Sequence, residues 1–218
     1  MTNGQDIRLY QAWREFVSSG QLDLTVVRPV IAESWKRCRA RGINPYKLRT
    51  SDQLSPEDLA ERLERKRVLI STSRPCVREL QGFLRGTGFL TALCDEQGYL
   101  LHLEGDADML HYAAVLGDTP GAYWGEERIG TGAISTCLVS RQPLQVIGAE
   151  HWFADHQSWA CSGVPIHDPA GEITGALGIS GPFTACHKHT LGMAVLAAKS
   201  VERALRWQDQ HPDLMPFD

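Results

Sequence analysis

The run Gly88-Phe89-Leu90-Thr91-Ala92-Leu93-Cys94, followed by Asp95-Glu96-Gln97-Gly98 and then Tyr99-Leu100-Leu101-His102-Leu103, decides the fold. Two short apolar runs around a glycine-containing turn predict a β-hairpin. The same grammar returns at 163–167, at the turn Asp168-Pro169-Ala170-Gly171, and at 172–180. Residues 143–147 read as a fifth strand. Between the hairpins the spacing predicts a helix over 106–116, a glycine-rich loop over 117–130 and a short helix over 131–139. A long helix over 188–207 follows, with Leu191, Val195, Ala198, Val201 and Leu205 recurring at helical spacing.

Upstream of Gly86 the period is helical throughout. One helix is expected over 7–17 and a second over 24–41, with Pro29 a disturbance early in it. On the second, Val27, Val30 or Ile31, Ser34 or Trp35, and Cys38 form one face. Gly42 and Asn44-Pro45 stop it. Ser55-Pro56-Glu57-Asp58 starts a third helix: serine caps, proline fits the first turn, and the acids favour the positive end of the dipole. Pro75 marks a kink or restart before 77–84. The expected class is therefore α+β, with one antiparallel sheet and helices on both faces. The terminal helices are expected on one face, and the middle helices and loops on the other. A helical region over 1–86 precedes the sheet domain over 87–208, and Pro212 and Pro216 leave 209–218 as a flexible tail. A cavity is expected between the sheet and the middle helices.

Composition narrows the class of function. The chain has 218 residues, 43% of them hydrophobic, and a net charge of -4, which is enough to build a core and argues against disorder. The charge is unevenly spread: residues 1–86 carry +6 and residues 87–218 carry -10, with all eight histidines in the second part. No apolar run reaches the roughly 20 residues of a membrane span. The N-terminus lacks the apolar core of a signal peptide. Six cysteines at wide, irregular spacing, with no C-x-x-C pair, read as reduced and mostly buried thiols in a cytoplasm. The chain has no G-x-x-x-x-G-K-[ST], no G-x-S-x-G and no H-E-x-x-H. The basic run Lys36, Arg37, Arg39 and Arg41 is more simply a solvated face, or one packed on an acidic neighbour, than a phosphate clamp.

The segment 121–162 concentrates aromatic and polar side chains. Trp124, Glu126, His151, Trp152, His156, Trp159 and Cys161 are the candidate lining or gating residues of a small-molecule pocket. Aromatics supply contact area, while Glu126 and His151 orient a hydroxyl, carbonyl or amine. His151, His156 and Cys161 are five residues apart each time, so no single helix or strand gathers them on one face. No metal and no cofactor is assigned. Nothing marks Cys137 or Cys161 as an activated nucleophile.

Glu33-Ser34-Trp35-Lys36-Arg37-Cys38, with Gly42 and Asn44-Pro45, resembles the opening of the sensory region in sigma-54-dependent activators of the acetoin and dihydroxyacetone regulator type. Gly121-Ala122-Tyr123-Trp124-Gly125-Glu126, Val146-Ile147-Gly148-Ala149-Glu150-His151, Cys161-Ser162 and Pro165-Ile166-His167-Asp168 resemble their GAF domain. The resemblance spans roughly 25–208. It implies a GAF-like sensor that is not an enzyme. Its expected partners are a small-molecule effector and a second copy of the chain, paired through the stripes of the 24–41 and 188–207 helices. DNA is expected to be contacted only through a domain absent from this chain. The family usually has Asn where Gly132 stands and Asp where Gly178 stands. A protein-docking module without a small ligand and a small GAF-fold redox enzyme are the alternatives.

Overall fold

Five antiparallel strands form one sheet: β1 (Leu90–Asp95), β2 (Leu100–Gly105), β3 (Leu144–Ile147), β4 (Trp159–His167) and β5 (Ile173–Pro182), in the order β2-β1-β5-β4-β3. The computed structural model describes residues 3–47, 52–185, 187–211 and 213. Eight helices surround the sheet among these residues: α1 (Asn3–Ser19), α2 (Pro29–Ala40), α3 (Pro56–Arg65), α4 (Arg67–Leu84), α5 (Ala107–Val115), α6 (Glu126–Ile129), α7 (Ala133–Ser140) and α8 (Lys188–Gln210).

The first hairpin forms as its sequence directs. Gly98 takes φ +94° in the turn, a conformation that suits glycine. Asp95 Oδ1 accepts from the backbone N–H groups of Gln97 (3.0 Å) and Tyr99 (2.8 Å). The other oxygen of this buried carboxylate meets Arg62 of α3. Alternation along β1 then sends Leu93 to one face, and Ala92 and Cys94 to the other.

On the Leu93 face, α4 and α8 pack through Leu69, Val77 and Leu80 and through Ala198, Val201 and Leu205. On the opposite face lie α7 and, beyond the loops, α1 and α2, whose Trp13, Phe16, Ile31, Trp35 and Cys38 share a core with Ala92, Val146, Cys137 and Trp152. The N-terminal pair therefore sits on the side of the middle helices, not with α8 as expected. The cause is electrostatic as well as apolar: the arginines of this region find their carboxylates on the middle loops, as described below. The change of period at residue 86 falls inside one packed unit, because α4 shares its core with α8 and the sheet.

Local differences have local reasons. Pro29 is the first residue of α2 rather than a flaw within it, so the helix starts five residues later than its apolar pattern. The helix from Ser55 breaks at Lys66, whose ammonium turns inward to Glu96 and to the Thr174 carbonyl (3.2 Å). Pro75 lies on the exposed side of α4, which continues through it. α8 runs to Gln210, so Asp209 and Gln210 belong to the helix and not to a tail. Cys186 and residues 212 and 214–218 lie outside the described residues.

α7 sits almost on the backbone of β4. A Cβ at Gly163 would come 2.3 Å from the Ala133 carbonyl oxygen. Gly163→Ala is expected to destabilise the chain by about 2 kcal/mol through overpacking, read as a lower urea midpoint. An unchanged midpoint would mean that α7 shifts freely.

Candidate functional site

A cavity of about 110 Å³ opens between the sheet and the middle helices. Its apolar walls come from Leu90 and Leu103 of the first hairpin, Leu116 after α5, Ile129 of α6, and Ala133 and Ile134 of α7. Five of the seven residues singled out in the sequence line it: Trp124, His151, His156, Trp159 and Cys161. Gly132 lines it as well. Gly178 backs Ile134, whose Cδ1 would lie 2.7 Å from an added Cβ.

His151 is the most constrained polar group in the cavity. It is 2% exposed, and its Nδ1 lies 3.0 Å from the Gly148 carbonyl. A carbonyl only accepts, so Nδ1 carries the proton. Burial, with His156 beside it, pushes its pKa down to about 3, so the ring is neutral at pH 7. Nε2 then presents a lone pair. It is buried and has no partner in the protein. His156, 6.1 Å away centroid to centroid, is likewise shifted down by burial.

Two lining groups carry no distinguishing sequence signal. Asp118, just after α5, accepts the indole N–H of Trp124 at 2.8 Å. Burial raises its carboxyl pKa, while the Trp124 hydrogen bond and the Arg128 charge pull the other way. Tyr112 of α5 stacks on Trp159 with centroids 6.0 Å apart.

Glu126 and Trp152 do not line the cavity; both turn towards the N-terminal helices. Glu126 is 2% exposed and receives Arg37 through two nitrogens, Nε to Oε2 at 2.5 Å and Nη2 to Oε1 at 2.7 Å. Ser34 Oγ donates to the same carboxylate at 2.6 Å, and Arg41 Nη1 approaches at 3.5 Å. Trp152 donates from Nε1 to the Ile43 carbonyl at 3.0 Å, and its own carbonyl accepts from Trp13 Nε1 at 3.1 Å. A second clamp joins Arg28 to Glu150 through two nitrogens, both at 2.7 Å, while Trp35 Nε1 donates to the Glu150 carbonyl at 2.9 Å. The residues on either side of His151 thus hold α1, α2 and the segments that flank α2.

Of the basic run, Arg37 and Arg41 are packed on this acidic neighbour. Arg39 caps the carbonyls of Phe16 (3.0 Å) and Val17 (2.7 Å), and Lys36 pairs with Glu33. No cluster of three or more metal-ligating side chains occurs among the described residues, and none of their helices is long and apolar enough to cross a membrane.

The GAF domain profile matches residues 56–205, and the chain belongs to that family. It is 32% identical over 204 residues to the acetoin dehydrogenase operon transcriptional activator AcoR of Bacillus subtilis, covering 94% of this chain and 34% of that one. It is 30% identical over 171 residues to the acetoin catabolism regulatory protein of Cupriavidus necator, covering 76% and 25%. The chain therefore spans about a quarter to a third of the length of these curated relatives, a transcriptional activator and a regulatory protein by name. Its fold is similar to that in the crystal structure of the E. coli DhaR(N)–DhaL complex, with TM-score 0.81, 23% identity, and coverage of 85% of this chain and 63% of that one.

Proposed function

We propose that this chain is the ligand-sensing part of a cytoplasmic transcriptional activator, and that its cavity takes a small neutral metabolite bearing a hydroxyl group. The observation that carries this reading is the buried, unpartnered Nε2 of His151, a residue that lines a largely apolar cavity. A buried acceptor left dry costs about 1–3 kcal/mol, which a ligand donor would recover. The size supports a short molecule: a dry cavity of roughly 150 Å³ accepts benzene, and this one is smaller. Acetoin, which the names of two relatives mention, is a compound of that size class.

Output follows from differential binding. A ligand seated on His151 biases the backbone between Glu150 and Trp152, and with it the docking of α1 and α2. DNA contact is assigned to a domain outside this chain, in keeping with the engaged arginines of α2. Dimerisation through helices uses what the core leaves over. The stripes of α2 and α8 are largely buried within the chain, while Phe83 on α4 and Leu196 on α8 are exposed. Light scattering at high concentration reads that state, and a strictly monomeric chain argues against it.

Titration calorimetry with short-chain alcohols, diols, hydroxyketones and ketones tests the pocket. At least one hydroxyl compound is expected to bind, and His151→Leu is expected to weaken it tenfold or more, since about 1.4 kcal/mol is tenfold. Equal affinity in wild type and variant removes His151 from the site. Silence across the panel favours a protein-docking role, of the kind that E. coli DhaR(N) has in its complex with DhaL.

A further inference from the structure

We propose that Asp118 is the specificity-determining residue of the cavity, and that it selects a short-chain diol over the matching hydroxyketone or ketone. The inference rests on the sensing role above and names the ligand class within it.

Fixed donors and acceptors around this small apolar space decide which ligand oxygen can be satisfied. His151 Nε2 is a fixed acceptor, because Nδ1 is committed to the Gly148 carbonyl. A carboxylate also only accepts, and Asp118 lines the same cavity. One of its oxygens is oriented by the Trp124 indole, which locks the side chain against rotation away from the site. Two donors are already spent. Trp124 N–H goes to Asp118, and Gly132 N–H, at the start of α7, goes to Ser135 Oγ at 3.0 Å. Ser180 and neutral His156 are adaptable and can give or accept. The cavity thus holds two fixed acceptors, His151 Nε2 and Asp118, and the one fixed donor left among its lining side chains is the indole N–H of Trp159.

A diol supplies both missing protons, one to His151 Nε2 and one to Asp118. A hydroxyketone supplies one, and turns a carbonyl oxygen towards the remaining acceptor. A ketone supplies none. A small carboxylate adds a charge beside a buried carboxylate of the same sign. Sites built around a polar partner reject ligands lacking it far more strongly than apolar pockets reject a missing methylene. Leu90, Leu103, Ile129 and Ile134 provide only the apolar fit, which the three ligands share.

The test uses 2,3-butanediol, acetoin and butanone on the full chain by titration calorimetry, with wild type and Asp118→Asn. Wild type is expected to bind the diol at least tenfold tighter than acetoin. Butanone is expected to be weaker still. In Asp118→Asn the amide oxygen can keep the Trp124 hydrogen bond while the amide nitrogen faces the cavity as a donor. The preference is then expected to shrink to threefold or less, or to reverse towards acetoin. The wild-type comparison needs no variant, so a misfolded Asp118→Asn would not rescue the idea. Acetoin binding as tightly as the diol in wild type overturns the proposal while leaving the sensing role intact. So does an unchanged preference in a folded Asp118→Asn. No binding by any of the three in wild type overturns this proposal. If the whole alcohol and ketone panel is silent, the pocket reading beneath it falls as well.

Discussion

Replacing Arg37 by methionine is expected to lower the unfolding free energy by about 3 kcal/mol. The reason lies with its partner. The Glu126 side chain is only 1% exposed, and Arg37 contacts both of its oxygens. Removing one member of a buried pair strands the other, at a cost of about 3–5 kcal/mol. The lower end applies because Arg37 itself is 32% exposed and its own desolvation is partial. Ser34 still donates to Glu126, but a hydroxyl brings no charge. Arg41 at 3.5 Å lacks the two-pronged fit. Urea denaturation followed by tryptophan fluorescence reads the loss. Adding Glu126→Gln to Arg37→Met removes the stranded charge and is expected to recover about half of it. A single-variant loss under 1 kcal/mol would show that water or Arg41 compensates, and that the clamp does not hold α2 in place.

The same clamp explains what the sequence conveyed and what it concealed. β1 and β2 were legible because their apolar runs flank an Asp-to-Gly turn. β5 was legible for a similar reason, and β3 from its own short run. β4 begins at Trp159, four residues before the predicted start at 163, because its first residues pair with both β3 and β5. Their mixed composition, Trp159-Ala160-Cys161-Ser162, carries no polar–apolar alternation of a strand. The density of aromatics and histidines in 121–162 pointed to a pocket wall, and composition alone carries that kind of information. Side-chain direction is different. His151 has extended backbone angles, φ -63° and ψ 141°. Consecutive side chains along extended backbone face opposite ways. His151 therefore enters the cavity while Glu150 and Trp152 face α1 and α2. The orientation of Glu126 depends on Arg37, 89 positions away in sequence, a distance that no local pattern spans. Asp118 had the composition of an ordinary turn carboxylate, and only the fold brings Trp124 against it.

Between pH 6.5 and 4.5 the chain is expected to lose about 2–3 kcal/mol of stability through His151 alone. Its proton uptake in the fold is displaced to about pH 3, against an ordinary value of 6.5, chiefly by burial. The sign follows from linkage. Below pH 6.5 the unfolded chain binds a proton that folded His151 refuses, so acid favours unfolding. Stability from this group is complete above pH 6.5 and falls by about 1.4 kcal/mol per pH unit until the folded ring titrates near 3. His156 acts in the same direction, since burial lowers it too, although Asp155 opposes the shift. Reading the loss above pH 4.5 keeps most of the carboxylate titration out of the measurement. Chemical denaturation at pH 6.5, 5.5 and 4.5 checks it, with His151→Gln expected to flatten the slope by more than half. Parallel slopes in wild type and variant would mean that folded His151 accepts a proton near its ordinary pKa. The consequence for sensing is specific. A ligand hydroxyl needs the Nε2 lone pair, and that lone pair persists to about pH 3. The His151 contribution to affinity is therefore expected to stay flat from pH 7 to pH 5, whereas an ordinary histidine would lose it across the same interval. Calorimetric affinities in wild type at the two pH values, compared with those in His151→Gln, make that distinction.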